Sequence, residues 1–268
     1  MTKIVFPSLN LEFNLSKIAI KIGNAEIYWY AVLIVSAIVL SLFLIYFSKR
    51  KYGIKYEDFL EIFIFALVGG VIGARAFYVI FNLEYYLQNI NQIFNIQNGG
   101  LAIYGGIIAG SVIVYIACKL KRISFLDFAD YVVPYLALSQ GIGRLGNFFN
   151  VEAYGVETTI FFRMGIETSY GYLEVHPCFL YEMLGCLAIF ILLKLLQRKQ
   201  SYKGEILCFY LVFYGIIRFF VERLRADSLT FKGIKVSCII SVIAVTLGIS
   251  LYIRNSICRK KSDKVNEK

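Results

Sequence analysis

The chain has 268 residues, 59% hydrophobic and only 17% charged, with a formal net charge of +10. Soluble domains are nearer ~50% apolar and ~25% charged, so composition excludes an ordinary soluble globular protein and predicts a polytopic membrane protein. The positive charge lies in short clusters between apolar runs and in the tail 254–268. That pattern fits membrane topology and anionic headgroups, and no nucleic-acid partner is expected.

The first 27 residues hold Lys3, Glu12, Lys17, Lys21 and Glu26 and lack the apolar core of a cleavable signal peptide. The first long apolar run is therefore expected to stay as a span. Seven candidate spans follow, at about residues 28–47, 62–81, 99–118, 125–142, 178–196, 206–221 and 236–253. Each approaches the ~20 residues a helix needs to cross ~30 Å of hydrocarbon, and helices are required because backbone groups find no water there. The expected fold is thus all-α, a single integral domain over 1–268 with seven transmembrane helices.

Orientation follows Lys and Arg. The loops after spans one, three and five hold Lys49, Arg50, Lys51, Lys55, Lys119, Lys121, Arg122, Arg198, Lys199 and Lys203, and the tail adds Arg254, Arg259, Lys260, Lys261, Lys264 and Lys268. They outnumber Lys3, Lys17, Lys21, Arg144, Arg163, Arg223, Arg225, Lys232 and Lys235 on the alternate segments. The N-terminus is expected outside and the C-terminus inside. Residues 144–177 then form a small extracytoplasmic cap, and 254–268 a basic cytoplasmic tail.

In chain order, Trp29 and Tyr30 open span one, where an interfacial aromatic anchor is the plain reading. Span two carries Arg75 beside glycines, and span three opens with Tyr104 among glycines. Span four contains Asp127, Asp130 and Pro134; Asp130 needs a cationic partner, with Arg75 or Arg144 as candidates. At its exit stands the run Gly141-Ile-Gly-Arg-Leu-Gly-Asn-Phe-Phe-Asn-Val-Glu-Ala-Tyr-Gly155. Taken singly, these residues read as a helix end packed through glycines, with Arg144 snorkelling to the interface. As a cluster they read as a site. Glycine permits close approach, the Arg144 fork suits phosphate or carboxylate, Asn147 and Asn150 add neutral hydrogen bonds, and Glu152 can balance the arginine or act as a base.

His176, the only histidine, stands before span five and reads equally as structural or as a general base. In span six Tyr214, Arg218 and Glu222 are four apart and share one helix face. A charge within a span costs roughly 2.5–3.5 kcal/mol on insertion scales, which Arg218 and Glu222 offset as a pair. Arg223, Arg225 and Asp227 extend that surface. The six cysteines, at 118, 178, 186, 208, 238 and 258, form no C-x-x-C pair, so neither a metal nor a disulfide framework is expected. Together the polar groups predict one outward-facing cavity for an anionic lipid headgroup.

At these residues the chain resembles the prolipoprotein diacylglyceryl transferase family. The signature G-R-x-[GA]-N-F-x-N-x-E-x-x-G is met at every fixed position from Gly143 to Gly155. His176-Pro-x-x-x-Tyr181-Glu182, Arg218-Phe-x-x-Glu222, Trp29-Tyr30 and Gly73-Ala-Arg75 match further family segments. The resemblance implies transfer of an sn-1,2-diacylglyceryl group from phosphatidylglycerol to the lipobox cysteine thiol of a prolipoprotein signal peptide. The products are a thioether and glycerol 1-phosphate, with no cofactor, in the bacterial cytoplasmic membrane. It implies essential roles for Arg144 and Arg218, and importance for Asn147, Gly155, Tyr30, Tyr214 and Glu222; Asn150 and Arg75 join the substrate-binding set. Many family members carry histidine where this chain has Tyr104, so the thiol's proton acceptor stays open among Tyr104, Glu152 and His176. A lipid flippase or transporter is the competing class. An intramembrane protease lacks its G-x-S-x-G or H-E-x-x-H motif, and a scaffold leaves the intramembrane arginines unexplained.

Overall fold

The computed structural model describes residues 2–23, 25–48, 52–96, 99–168 and 171–266. Lys49, Arg50, Lys51 and Lys268, used in the orientation argument, lie outside them. The chain divides into two compact units, Met1–Phe47 with Ala129–Lys268, and Ser48–Phe128.

The fold is mostly helical. Among the described residues five helices are long and apolar enough to cross a membrane: α1 Trp29–Phe47, α2 Tyr56–Phe81, α4 Ile103–Leu120, α6 Cys178–Arg198, and the stretch Val236–Ile257 of α8 Val236–Asn266. This is a multi-pass membrane architecture, consistent with the wide exposure of Val39, Phe65, Ile72, Leu184 and Ile243. Two other long helices, α5 Phe125–Asn150 and α7 Glu205–Leu224, fall short of that apolarity. They carry Arg144, Arg218 and Glu222 of the predicted site. A short helix α3, Leu83–Gln88, lies between α2 and α4.

The all-α expectation is corrected. Strands β1 Thr2–Phe6, β2 Leu11–Leu15, β5 Met164–Thr168 and β6 Gly171–Val175 form an antiparallel sheet of order β2-β1-β5-β6. β3 Ile18–Ile22 and β4 Ala25–Tyr28 form a hairpin leading into α1, and β7 Thr230–Phe231 with β8 Ile234–Lys235 forms another before α8. The strands are short, at most five residues as in Ile18-Ala-Ile-Lys-Ile22, and a search for ~20-residue apolar runs passes over them. One face of the large sheet is sealed by Ile4, Phe6, Leu15, Met164, Ile166, Val175 and Phe179. Phe148, Phe149, Val151 and Tyr154 pack against that core. Burying aliphatic and aromatic side chains of this size stabilises by about 1.5–3 kcal/mol each, and here it fixes the end of α5.

In the first unit α7 packs against α6 and α8. Gly185 makes room for Ile217, and Gly215 admits Val245 and the Ser241 carbonyl. Asp130 is fully buried and has neither predicted arginine as its hydrogen-bond partner. Its carboxylate accepts from the backbone N–H of Gly204 (2.5 Å) and Leu207 (2.8 Å) and from Gln200 Nε2 (2.5 Å). An acid at a helix N-terminus satisfies orphan donors and complements the dipole. Fourteen residues along α5, about 21 Å at 1.5 Å per residue, separate it from Arg144.

In the second unit α2 and α4 meet through small residues. Gly70, Gly73 and Ala74 face Gly105, Gly106 and Ala109 so closely that a Cβ at Gly73 or Gly105 would strike the other helix, and Gly69 makes room for Ile113. Small residues of this kind let membrane helices approach.

Candidate active site

The last two turns of α5 carry Arg144, Asn147 and Asn150, so the helix continues past the span end expected at about residue 142. The helix stops because Val151 and Ala153 take left-handed backbone angles, φ 54° and 57°. For non-glycine residues that conformation costs roughly 1–2 kcal/mol each, and it is rare for a β-branched side chain. The turn folds Glu152 back over the helix end. Glu152 Oε1 accepts from Asn147 Nδ2 (2.9 Å) and Asn150 Nδ2 (3.1 Å), and Arg144 Nη1 donates to Asn147 Oδ1 (3.3 Å). Asn147 is buried and links Arg144 to Glu152.

Glu182, in the first turns of α6, is the hub. It is 2% exposed. Its Oε1 lies 2.7 Å from Arg144 Nη2 and its Oε2 2.9 Å from Arg218 Nη1, and Tyr214 Oη donates to Oε1 at 3.2 Å. Arg218 Nη2 lies 2.8 Å from Glu222 Oε2, and Arg225 Nη1 approaches the same oxygen at 3.9 Å. Arg225 then grips Asp227 with two donors at 3.0 Å. Arg144, Glu182, Arg218, Glu222, Arg225 and Asp227 thus form a line of alternating charge. Glu222 Oε2 is buried without a well-aligned hydrogen bond, so its tie to Arg218 is mainly Coulombic. At the end of the line, burial opposes ionisation of Asp227. The hydrogen bond and charge of Arg225 outweigh it and hold the carboxyl below its usual range.

Aromatic residues frame the cluster. Tyr214 stacks on Tyr210 (5.6 Å between centroids, 3° between planes), and Tyr210 Oη donates to Gln140 Oε1 at 3.0 Å. Trp29 stacks on Phe149 at 4.9 Å, and the Tyr30 ring lies over Gly146, where a Cβ would collide with it. The Trp29–Tyr30 pair therefore docks on the signature helix rather than serving only as an anchor. Gly155 is pinned between His176 and the end of α7. Its N–H donates to the His176 carbonyl at 2.8 Å, it bridges to Arg225, and an added Cβ would meet His176 Cβ at 2.7 Å and the Leu224 oxygen at 2.8 Å. Lys235 holds the α7 terminus by donating to the carbonyls of Glu222 (2.8 Å) and Arg225 (2.6 Å).

His176 Nδ1 lies 3.3 Å from Tyr181 Oη. Burial lowers its pKa from the ordinary 6.5, which keeps the ring neutral at pH 7. Tyr104, in the first turn of α4, and Arg75 belong to the second unit. Arg75 is 8% exposed and all five of its donors go to backbone carbonyls, those of Ile93, Gly99, Gly100, Gln92 and Asn95, at 2.6–3.0 Å. Tyr78 and Tyr86 flank its guanidinium at 5.9 and 5.3 Å. That geometry organises the segment between α3 and α4.

The structure brings together Arg144, Asn147, Asn150, Glu152, Tyr214, Arg218 and Glu222, with Tyr30 and Gly155 packed against the same elements. Sequence reasoning quoted Glu182 in a motif without giving it a role. The signal was present, since an acid in an apolar helix demands a partner.

The sequence profile described as prolipoprotein diacylglyceryl transferase matches residues 17–254. A protein of Finegoldia magna is 40% identical over 250 residues, 93% of this chain and 99% of its own. Relatives in Clostridioides difficile (strain 630) and Streptococcus pneumoniae (strain Hungary19A-6) are 38% and 41% identical, covering 94% and 92% of this chain and 100% and 96% of theirs. All three are named phosphatidylglycerol–prolipoprotein diacylglyceryl transferase.

Proposed function

The chain belongs to the prolipoprotein diacylglyceryl transferase family, and on that premise we propose that it moves the sn-1,2-diacylglyceryl group of phosphatidylglycerol onto the lipobox cysteine of a prolipoprotein signal peptide. The observation that carries the reading is the convergence of two guanidiniums, Arg144 and Arg218, on one buried carboxylate. A site that holds a bidentate anion between two forks has the donor geometry a phosphodiester needs.

In the reaction the thiol, with a free pKa of ~8.5, loses its proton. The thiolate attacks the glycerol carbon that bears the phosphate ester, an S–C bond forms, the C–O bond breaks, and glycerol 1-phosphate leaves with the electron pair. Arg144 and Arg218 turn toward the phosphate as its charge grows, which stabilises the transition state more than the ground state. Asn147 and Asn150 hold the Arg144 side of the site, Tyr214 and Glu222 orient Arg218, and Tyr30 and Gly155 shape its walls. The thiol proton passes to Glu152, His176 or Tyr104. Neutral His176 can accept it at pH 7. Arg75 supports the second unit.

We further read the chain as one integral domain of seven spans in a bacterial cytoplasmic membrane. The N-terminus is outside, the tail 254–268 is inside, and the cap includes 144–177 and meets membrane lipids. α5 and α7, with 26 and 20 residues, are long enough at ~39 and ~30 Å, and Asp130, Arg144, Arg218 and Glu222 along them are paired or hydrogen-bonded.

The test is a transfer assay with purified protein, labelled phosphatidylglycerol and a lipobox peptide, with a cysteine-to-serine peptide as control. Wild type is expected to label only the cysteine peptide, and Arg144→Ala to label neither while remaining inserted. Full transfer by Arg144→Ala would overturn the assignment.

A further inference from the structure

The cap sheet has two edges, treated differently. The outer side of β6 is covered: Thr158 N–H donates to the Glu174 carbonyl at 2.9 Å, His176 N–H to Val156 at 3.1 Å, and Glu157 bridges Val175. β2 is the other edge. Among the described residues no backbone hydrogen bond reaches it from anywhere but β1, along an unbroken register from Phe6↔Leu11 to Thr2↔Leu15. An unpaired edge is a template for another strand, and proteins usually blunt it with proline, a bulge or inward charge. β2 has none of these. Its one charge, Glu12, is held by Lys3 at 2.8 Å, and Leu11 and Phe13 are 46% and 37% exposed.

The edge is continuous with the site. The Phe13 ring meets Phe148 edge-on at 5.6 Å, and Phe148 follows Asn147 and stands one helical turn from Arg144. Phe13 is thus one ring contact (5.6 Å) and one helical turn (~5.4 Å) from Arg144, a path that about three to four residues of extended chain at ~3.4 Å each would cover.

We infer that β2 is the docking edge for the polypeptide substrate, whose extended segment after the acceptor cysteine adds as a fifth strand beside Leu11–Leu15. The inference rests on the transferase reading, in which the peptide is the one reactant that carries a backbone. Pairing through main-chain groups gives affinity with little demand on sequence, while alternate side chains fall on Leu11 and Phe13.

The experiment scans a lipobox peptide with single backbone N-methyl groups at each residue beyond the cysteine. Methylation at alternate positions, beginning three to four residues past the cysteine, is expected to raise the peptide KM at least tenfold with kcat unchanged; intervening positions have no effect. A photo-cross-linker, p-benzoylphenylalanine in place of Leu11, is expected to capture the same segment of an unmethylated peptide. A flat methylation scan, or cross-links only to lipid or to a second copy of the chain, would overturn the inference. If no cysteine peptide is lipidated, the transferase reading fails instead, and the cross-link at residue 11 still decides whether this edge takes a peptide.

Discussion

Glu182→Gln isolates what the hub carboxylate does, because it removes one charge and almost no volume. Two guanidiniums lie at 2.7 and 2.9 Å from its oxygens. With charge centres ~4 Å apart and an effective dielectric near 20, each pair is worth about 4 kcal/mol before desolvation. Desolvation of the buried carboxylate takes back several kcal/mol. Removing one partner of such a pair nonetheless costs roughly 3–5 kcal/mol, because the other charge is left buried and uncompensated. Glutamine keeps one acceptor, so one arginine retains a partner and the other faces an N–H₂ donor. We expect lower thermal stability in detergent, a kcat at least tenfold lower, and a KM for phosphatidylglycerol no higher than wild type, since the freed guanidiniums still attract phosphate. Glu182→Asp is expected to recover part of kcat by restoring the charge. The assay is steady-state diacylglyceryl transfer with lipid varied at saturating peptide. Wild-type kcat in Glu182→Gln, or a loss confined to KM, would refute the view that Glu182 is a positioning residue holding both arginines.

Other outcomes follow from the same geometry. Gly155→Ala pushes a methyl group against His176 and the Leu224 carbonyl; we expect about 1–3 kcal/mol of destabilisation from overpacking, read by thermal unfolding, with transfer falling in parallel. Arg75→Lys supplies three donors where five carbonyls now receive bonds; proteolysis between α3 and α4 should accelerate even though the charge is kept. The lowered pKa of His176 means the folded state binds its proton less readily than the unfolded chain. Its stabilising contribution is present above pH 6.5 and is lost as pH falls through the folded value. His176→Gln should flatten that part of the stability–pH curve.

Much of the site was legible because polar residues in oily helices are few. The four-residue spacing of Tyr214, Arg218 and Glu222 put them on one face, and the structure keeps them there. Arg144, Asn147 and Glu152 also proved to be one network, though helix extends through Asn150. Asp130 departs from the expectation in its partners: in place of Arg75 or Arg144, its carboxylate accepts from N–H groups at the start of α7, 74 and 77 residues along the chain, which no local pattern points to. The hairpin strands are too short to register among ~20-residue apolar runs, and the pairing of Thr2–Phe6 with Met164–Thr168 spans about 160 residues, a partner no local pattern announces. Glu182 was passed over because its role depends on two helices that converge on it from elsewhere in the chain.

The line from Arg144 to Asp227 also bears on how a turnover ends. Three cations and three anions alternate along it, so the resting cluster is neutral as a unit. Phosphatidylglycerol brings a singly charged phosphodiester, whereas the departing glycerol 1-phosphate is a monoester carrying about −1.5 to −2 at pH 7. If Arg144 and Arg218 serve the phosphate as proposed, Glu182 remains beside both, at 2.7 and 2.9 Å in the resting cluster, and Glu222 beside Arg218 at 2.8 Å. On that reading these two carboxylates are resident competitors that would reclaim the arginines once the ester bond has broken, favouring departure of the more highly charged product into water.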